Sequence, residues 1–354
     1  MTESAHFERA GMIRFLDEGG APVRDLPDFA RSRDELVRLY AALVRTRAFD
    51  AKAIALQRTG RLGTYGSCLG QEAIGIGVAS AMTADDVLLP SFREHGGQML
   101  RGVTMEELFL FWGGDERGNA FAHARSDFPV CIPVGTQVPH AAGVALAMQQ
   151  KGERGVAVAV GGDGGTSKGD FYEAMNLAGV WKLPAVFVIN NNQWAISVRR
   201  AEQTAAKTLA QKAVAAGLPG VIADGNDVIA VRDVMARSLG WARAGKGATL
   251  IECVTYRLGD HTTADDAGRY RGAEEVSPHW KAEPIVRLRS HLAAAHGWTK
   301  EEEEALLRAC KAEAEEAAGN YLAIAPDAPR AMFDHLYAEL PAAIASQAEE
   351  VSDG

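Results

Sequence analysis

The run Val156-Ala157-Val158-Ala159-Val160, followed without a break by the glycine-rich stretch Gly161 to Gly169, constrains this chain more than any other feature. An uninterrupted apolar run has no polar side to show to water, so it reads as a strand covered on both faces. Behind the glycines come Phe171, Ala174, Met175, Leu177 and Ala178 at helical spacing, with Asp170 as the expected cap. A second apolar run, Ala185 to Ile189, leads straight into Asn190-Asn191-Asn192. Strand, glycine loop, helix and strand in that order make a parallel βαβ unit. Val87–Leu89, Gly220–Ile222 and Thr249–Val254 read as further strands, with a helix over 228–244 between the last two. The fold class that follows is α/β, with a doubly wound, mostly parallel sheet. Ligands of such sheets sit at the carboxyl ends of the strands, where both the glycine loop and the asparagine triplet lie.

The flanks read differently. Residues 1–31 have no period and are expected to form an extended arm. Ser32, with Glu35 three residues on, predicts a capping box and a helix over 33–58 that Gly60 to Gly63 ends. Small-residue helices over 71–82 and 139–150 offer flat faces to a second subunit. Beyond about 279 the composition turns to Ala, Glu, Leu and Arg, and 301–317 reads as a helix with a solvated acidic face. The expected organisation is an N-terminal arm and helix (1–59), a ligand-binding α/β domain (60–279) and a helical C-terminal tail (280–354).

A net charge of −9 without a basic stripe argues against nucleic acid as a partner. No apolar run is long enough for a membrane span. The four cysteines lack any C-x-x-C pair, which speaks against disulfides and zinc. The first residues lack a basic-then-apolar signal pattern. A cytoplasmic setting is expected.

The glycine stretch is not a nucleotide loop. A P-loop needs Gly-Lys-Ser/Thr, and the order here is Ser167-Lys168-Gly169. A dinucleotide fingerprint begun at Gly162 needs glycine where Ser167 stands. The loop still joins strand to helix, so its N–H groups are able to cradle phosphate. Its centre holds Asp163, which repels phosphate unless a cation lies between them. Asn192 follows 29 positions later, at the end of the next strand. Magnesium takes oxygen ligands octahedrally, with few carboxylates and with substrate phosphates completing its shell. Asp163, the Asn192 amide oxygen and a nearby main-chain carbonyl suit it. Either residue alone fits an ordinary Asx turn equally well. The pair at matched strand ends favours the cation.

Gly162-Asp163-Gly164, followed at this interval by Asn191-Asn192, resembles the thiamine-diphosphate motif. The longer text from Gly162 to Ser197 resembles the alpha subunits of the E1 components of two-component 2-oxo acid dehydrogenases, and among them most the bacterial pyruvate type. The likeness runs from about Gly60 to Arg271. It implies a sheet of the thiamine-diphosphate-binding type, with thiamine diphosphate and Mg²⁺ as cofactors. It implies Asp163, Asn192 and the carbonyl of Trp194 as metal ligands; the family usually has Tyr at the last position, a change that a main-chain ligand tolerates. Gly162, Gly164 and Gly165 match the loop under the diphosphate. Ser91-Phe92-Arg93-Glu94-His95 is similar to a segment whose Tyr and Arg reach the diphosphate. Arg93 fits, whereas Phe92 has no hydroxyl to donate. Ile132 to Gln137 is similar to the segment under the aminopyrimidine, with Val134 as the apolar prop. His261, within Gly259 to Asp266, matches the active-site loop histidine and is the candidate catalytic residue. Gly225-Asn226-Asp227 repeats a further family segment, read as turn chemistry.

In thiamine enzymes a glutamate on a second domain activates the aminopyrimidine. The flanks of this chain are too short for another α/β domain, so the resemblance implies a separate beta subunit and an α2β2 assembly. It further implies a lipoyl domain of an E2 acyltransferase as the acyl acceptor. The expected activity is oxidative decarboxylation of pyruvate with transfer of the acetyl group to lipoyl-E2. The alternative is the same chemistry on branched-chain 2-oxo acids, followed by acetoin cleavage and a catalytically silent subunit. The presence of Asp163, Asn192, Arg93 and His261 argues against the silent subunit.

Overall fold

The computed structural model describes residues 11–334 and 336–352 of the chain. The strands are β1 (Val87–Leu89), β2 (Ala157–Gly162), β3 (Ala185–Asn191), β4 (Trp194–Ala195), β5 (Val198–Arg199), β6 (Gly220–Asp224) and β7 (Thr249–Val254). Five of them form one parallel sheet in the order β1-β2-β3-β7-β6, and β4 and β5 make an antiparallel hairpin beyond the end of β3. Helices of six residues or more are α1 (Arg33–Arg58), α2 (Glu72–Ala81), α3 (His95–Leu100), α4 (Met105–Trp112), α5 (Gln137–Lys151), α6 (Gly169–Trp181), α7 (Val228–Arg243), α8 (Pro284–His296), α9 (Lys300–Ala323) and α10 (Ala342–Ser352). The α/β class and the parallel sheet agree with the sequence reading.

The two faces of the sheet explain its apolar runs. Val156, Val158 and Val160 belong to a core shared with Leu36 and Tyr40 of α1, Ile74 of α2 and Val231 of α7. Ala157 and Ala159 point the other way, into a core with Ala145 of α5 and Phe171 and Met175 of α6. Alternate side chains therefore enter different cores, and no position along β2 is left for a polar residue.

Several local expectations need correction. Ser32 does cap α1, its Oγ accepting from Glu35 N at 3.4 Å. The return half of the capping box is replaced, because the Glu35 carboxylate turns to Arg38 and to Arg232, 3.0 Å away. α6 starts at Gly169 behind Lys168, since Asp163–Ser167 winds into a 3₁₀ turn that brings the helix start forward. Asp170 therefore sits in the first turn and pairs with Lys168 at 3.1 Å. Helix α2 offers no face to a partner: Glu72 to Ala79 are all buried against neighbouring elements that include α3 and α7. On α5, in contrast, His140, Gly143 and Ala147 remain exposed.

The first ten residues of the expected arm lie outside the described residues; the rest is folded onto the sheet. Ile13 N donates to Ile222 O at 2.8 Å, and Asp224 N donates to Ile13 O at 2.9 Å, so the arm extends the sheet beside β6. Asp227 clamps it, Oδ2 accepting from the N–H groups of Phe15 (2.7 Å) and Leu16 (2.8 Å). Its Oδ1 caps α7 through Ile229 N at 3.0 Å. The turn chemistry read at Gly225-Asn226-Asp227 is thus also the anchor of the arm. In the C-terminal segment α9 lies along α1, with Tyr40 Oη donating to Glu303 at 2.8 Å and Arg45 paired with Glu313 at 2.6 Å. His335, Asp353 and Gly354 lie outside the described residues.

Candidate functional site

β2 and β3 run in a register that sets Gly162 opposite Asn190, so the segments leaving the two strands start side by side. A cavity of about 690 Å³ opens there. Its floor contains Gly162, Asp163, Gly164, Gly165, Asn192 and Trp194, and its walls contain Phe92, Arg93, Ile132, Val134 and His261. The candidate metal, cofactor and catalytic residues read from the sequence therefore meet on one cavity.

The glycine loop is shaped by close approach. A Cβ on Gly164 would stand 2.7 Å from the Cβ of Ala195 on the hairpin. A Cβ on Gly165 would stand 3.3 Å from Gly135 Cα. Thr166 Oγ1 donates to the Asp163 carbonyl at 2.7 Å and closes the 3₁₀ turn. The hairpin is tight enough to need left-handed backbone at two non-glycine residues, Gln193 (φ 73°) and Ile196 (φ 55°). That bend turns Trp194 back beside the strand end, where its N–H donates to Asn192 Oδ1 at 3.2 Å.

Asp163, Asn192 and Trp194 are each at most 5% exposed. Asp163 Oδ2 accepts from Gln203 Nε2 at 2.8 Å, and Asn192 Nδ2 donates to Gln71 Oε1 at 2.8 Å. Burial pushes the Asp163 carboxyl above the usual carboxylate range, against the Gln203 hydrogen bond and the positive charges of Arg257 and Arg93. A cation beside it would restore the ionised form. The donors on offer, a carboxylate, an amide oxygen and a main-chain carbonyl, are all oxygens, and they fit Mg²⁺ better than a softer metal.

A family model described as dehydrogenase E1 component matches residues 40–329. The chain belongs to that family. It groups with the alpha subunits of 2-oxo acid dehydrogenase E1 components, and the family depends on thiamine diphosphate. The chain is 45% identical over 281 residues to the 3-methyl-2-oxobutanoate dehydrogenase subunit alpha of Mycobacterium tuberculosis (strain ATCC 25618 / H37Rv), covering 79% of this chain and 75% of the relative. It is 39% identical over 341 residues to the pyruvate dehydrogenase E1 component subunit alpha of Staphylococcus aureus (strain Mu50 / ATCC 700699), covering 96% and 92%. The corresponding protein of Staphylococcus epidermidis is 38% identical over 341 residues, again covering 96% and 92%.

In this E1 chain the histidine loop is latched from both sides. Arg93 Nη2 lies 3.1 Å and Arg257 Nη1 lies 3.2 Å from His261 Nδ1. A guanidinium only donates, so Nδ1 accepts and the ring proton resides on Nε2. Burial first, then the charges of Arg93 and Arg257, lowers the His261 pKa to about 4. The imidazole is therefore neutral at physiological pH and offers an N–H. Its own main-chain N–H donates to Asp265 Oδ2 at 2.8 Å. Arg257 Nη2 donates to Tyr270 Oη at 2.6 Å and to the Ile196 carbonyl at 2.8 Å. Arg271 holds the carbonyls of Arg257, Leu258 and Gly259.

Behind Arg93, the buried Asp50 of α1 gathers the segment before α2. It accepts from Tyr65 Oη (2.8 Å), Ser67 Oγ (2.7 Å) and Cys68 N (2.9 Å). Arg93 Nη1 then donates to the Ser67 carbonyl. Gln71, Gln203, Arg257 and Asp50 were not assigned roles from the sequence. Gln71 lies in the Gly66 to Glu72 segment, which resembles a family region near the substrate, and the other three stand in stretches without a motif, so only the fold ties them to the site.

Among the described residues the four cysteines are unpaired, and no helix is long and apolar enough to cross a membrane.

Proposed function

We propose that this chain is the diphosphate-holding half of an E1 enzyme that decarboxylates a 2-oxo acid with a branched apolar chain and passes the acyl group to a lipoyl group of an E2 acyltransferase. Asp163, Asn192 and the Trp194 carbonyl would hold Mg²⁺, and Arg93 with the glycine loop would hold the diphosphate. Bound thiamine diphosphate would supply the electron sink for loss of CO₂. His261 keeps a proton on Nε2 and is placed to donate a hydrogen bond into the cavity. Burial first, and then its arginine neighbours, keep that ring from becoming a cation.

The observation that carries the substrate class is the wall next to His261. The Phe92 ring meets the histidine edge-on with ring centres 5.9 Å apart, which gives the donor an apolar neighbour on that wall. An apolar acyl chain suits that wall. The 45% identity to the mycobacterial relative, named for 3-methyl-2-oxobutanoate, supports the same class. Pyruvate is the second reading, supported by the staphylococcal relatives, whose likeness extends over 96% of this chain.

The cavity mouth supports a partner. Ile132, Val134 and Ile196 line it and are each about half exposed, and the described chain holds no second α/β domain to cover them. A beta chain in an α2β2 assembly, acting in the cytoplasm, completes this reading. Purified alone, the chain is expected to be inactive with any 2-oxo acid. Co-expressed with a beta chain, it is expected to favour 3-methyl-2-oxobutanoate over pyruvate by about 10–200-fold in kcat/KM, the range that apolar pocket contacts supply. Preference for pyruvate would hand the site to the second reading. Robust decarboxylation by this chain in a preparation free of any other would overturn the shared site.

A further inference from the structure

Two glutamines outside the glycine loop and the asparagine triplet touch the two side chains assigned to the cation. Gln203, on the short helix after β5, donates from Nε2 to Asp163 Oδ2 at 2.8 Å. Gln71, the residue that opens α2, accepts at Oε1 from Asn192 Nδ2 at 2.8 Å. Each contact settles an ambiguity that the ligand cannot settle for itself. A carboxylate is able to offer one oxygen or both; a donor on Oδ2 favours ligation through Oδ1 alone. An asparagine amide carries oxygen and NH₂ in nearly equivalent places, and only the oxygen binds a cation. With an acceptor on its Nδ2 and the Trp194 N–H on its Oδ1, Asn192 has one orientation that satisfies both neighbours.

The state of Gln71 argues that its contact is not incidental. It is 2% exposed, and its Nε2 is buried without a hydrogen-bond partner among the described residues. A buried amide with one end unpaired is costly to keep. What the other end does is to hold Asn192.

We infer that Gln71 and Gln203 are positioning residues that aim the Asn192 oxygen and one Asp163 oxygen at a divalent cation. The inference rests on the metal site proposed above. Groups that orient metal ligands typically change affinity by roughly 10–100-fold when removed. Mg²⁺ demands near-ideal octahedral geometry, whereas Ca²⁺ accepts irregular shells. Misaimed ligands should therefore lose Mg²⁺ before Ca²⁺.

The test uses the assembled alpha and beta chains with thiamine diphosphate. Mg²⁺ and Ca²⁺ are titrated by calorimetry, and the unfolding temperature of each metal-free variant is recorded. Gln71→Met and Gln203→Met should each weaken Mg²⁺ by about 10–100-fold and Ca²⁺ by less. Gln71→Glu keeps an acceptor oxygen against Asn192 Nδ2 and should lose less than roughly tenfold. Asp163→Ala reports on the site itself. If that variant binds Mg²⁺ like the wild type, the metal-site reading falls and takes the inference with it. If it loses Mg²⁺ while both methionine variants retain it, the positioning role is overturned and the metal site stands. The positioning role is equally overturned if Gln71→Glu is as weak as Gln71→Met, or if unfolding temperatures drop with the Mg²⁺/Ca²⁺ ratio unchanged.

Discussion

The floor and the mouth of the cavity are built on opposite principles. On the floor, the Asp163 and Asn192 side chains are buried and tied to Gln203, Gln71 and the Trp194 peptide. At the mouth, Ile132, Val134 and Ile196 are 49–56% exposed and apolar. Buried polar groups gain from being fixed in advance, because reorienting them in a low-dielectric site is costly. Apolar surface asks only to be covered, and any well-fitted surface can do that. One chain has therefore completed the part of the site that needs exact hydrogen bonding and left open the part that another molecule is able to close.

The largest effect should come from the floor. Asp163→Ala removes the one carboxylate proposed for the cation. Losing one partner of a buried charge pair costs about 3–5 kcal/mol, so Mg²⁺-dependent cofactor affinity should fall by roughly 10²–10⁴-fold. Calorimetry on the assembled protein reads this directly, and unchanged affinity would show that the floor is not a metal site.

Acid should act next, through His261 on the wall and His95 in the core behind it. Burial and the Arg93 charge lower the His95 pKa to about 3, and His261 lies at about 4, against an ordinary 6.5. Both rings stay neutral in the folded chain and take up a proton on unfolding once the pH is below 6.5. Their contribution is thus fully present above pH 6.5 and is lost as the pH falls toward their folded values. The unfolding temperature should drop steadily from pH 7 to pH 5, and less steeply in His261→Gln. An identical slope in that variant would show that the ring is not held neutral.

Phe92→Tyr should give the smallest change. A hydroxyl added beside Arg93 restores the diphosphate contact that the resemblance assigns to Tyr, for a gain of about 0.5–1.5 kcal/mol in cofactor binding. Equal affinity in wild type and variant would mean that another donor already serves. A loss would mean that the phenyl ring, packed against His261 and under the Arg93 guanidinium with its Cζ 5.0 Å from the ring centre, has fixed the wall.

The floor was legible in the sequence and its supports were not. β2 and β3 announce themselves because both their faces are buried, which leaves an unbroken apolar run. Asp163 and Asn192 announce themselves because one βαβ unit converts a fixed spacing into adjacency. Gln71 reaches Asn192 across 121 positions and Gln203 reaches Asp163 across 40, with no repeat or cap to mark either contact. The capping box at Ser32 failed for a related reason: Arg232, from α7, drew the Glu35 carboxylate away from the helix end. Local rules describe what a residue prefers among its neighbours in sequence, and tertiary neighbours compete for the same atoms.

The clamp on Asp227 also sets an order of events during synthesis. Its oxygens bind the N–H of Phe15, 212 positions upstream, so the arm has no anchor until the turn before α7 has left the ribosome. At about 5–20 residues per second that wait is roughly 10–40 s. During it the arm's unpaired N–H groups are available to any strand edge nearby, including those of neighbouring nascent chains. Docking beside β6 ends that exposure for the arm and at the same stroke seals the rim of the sheet.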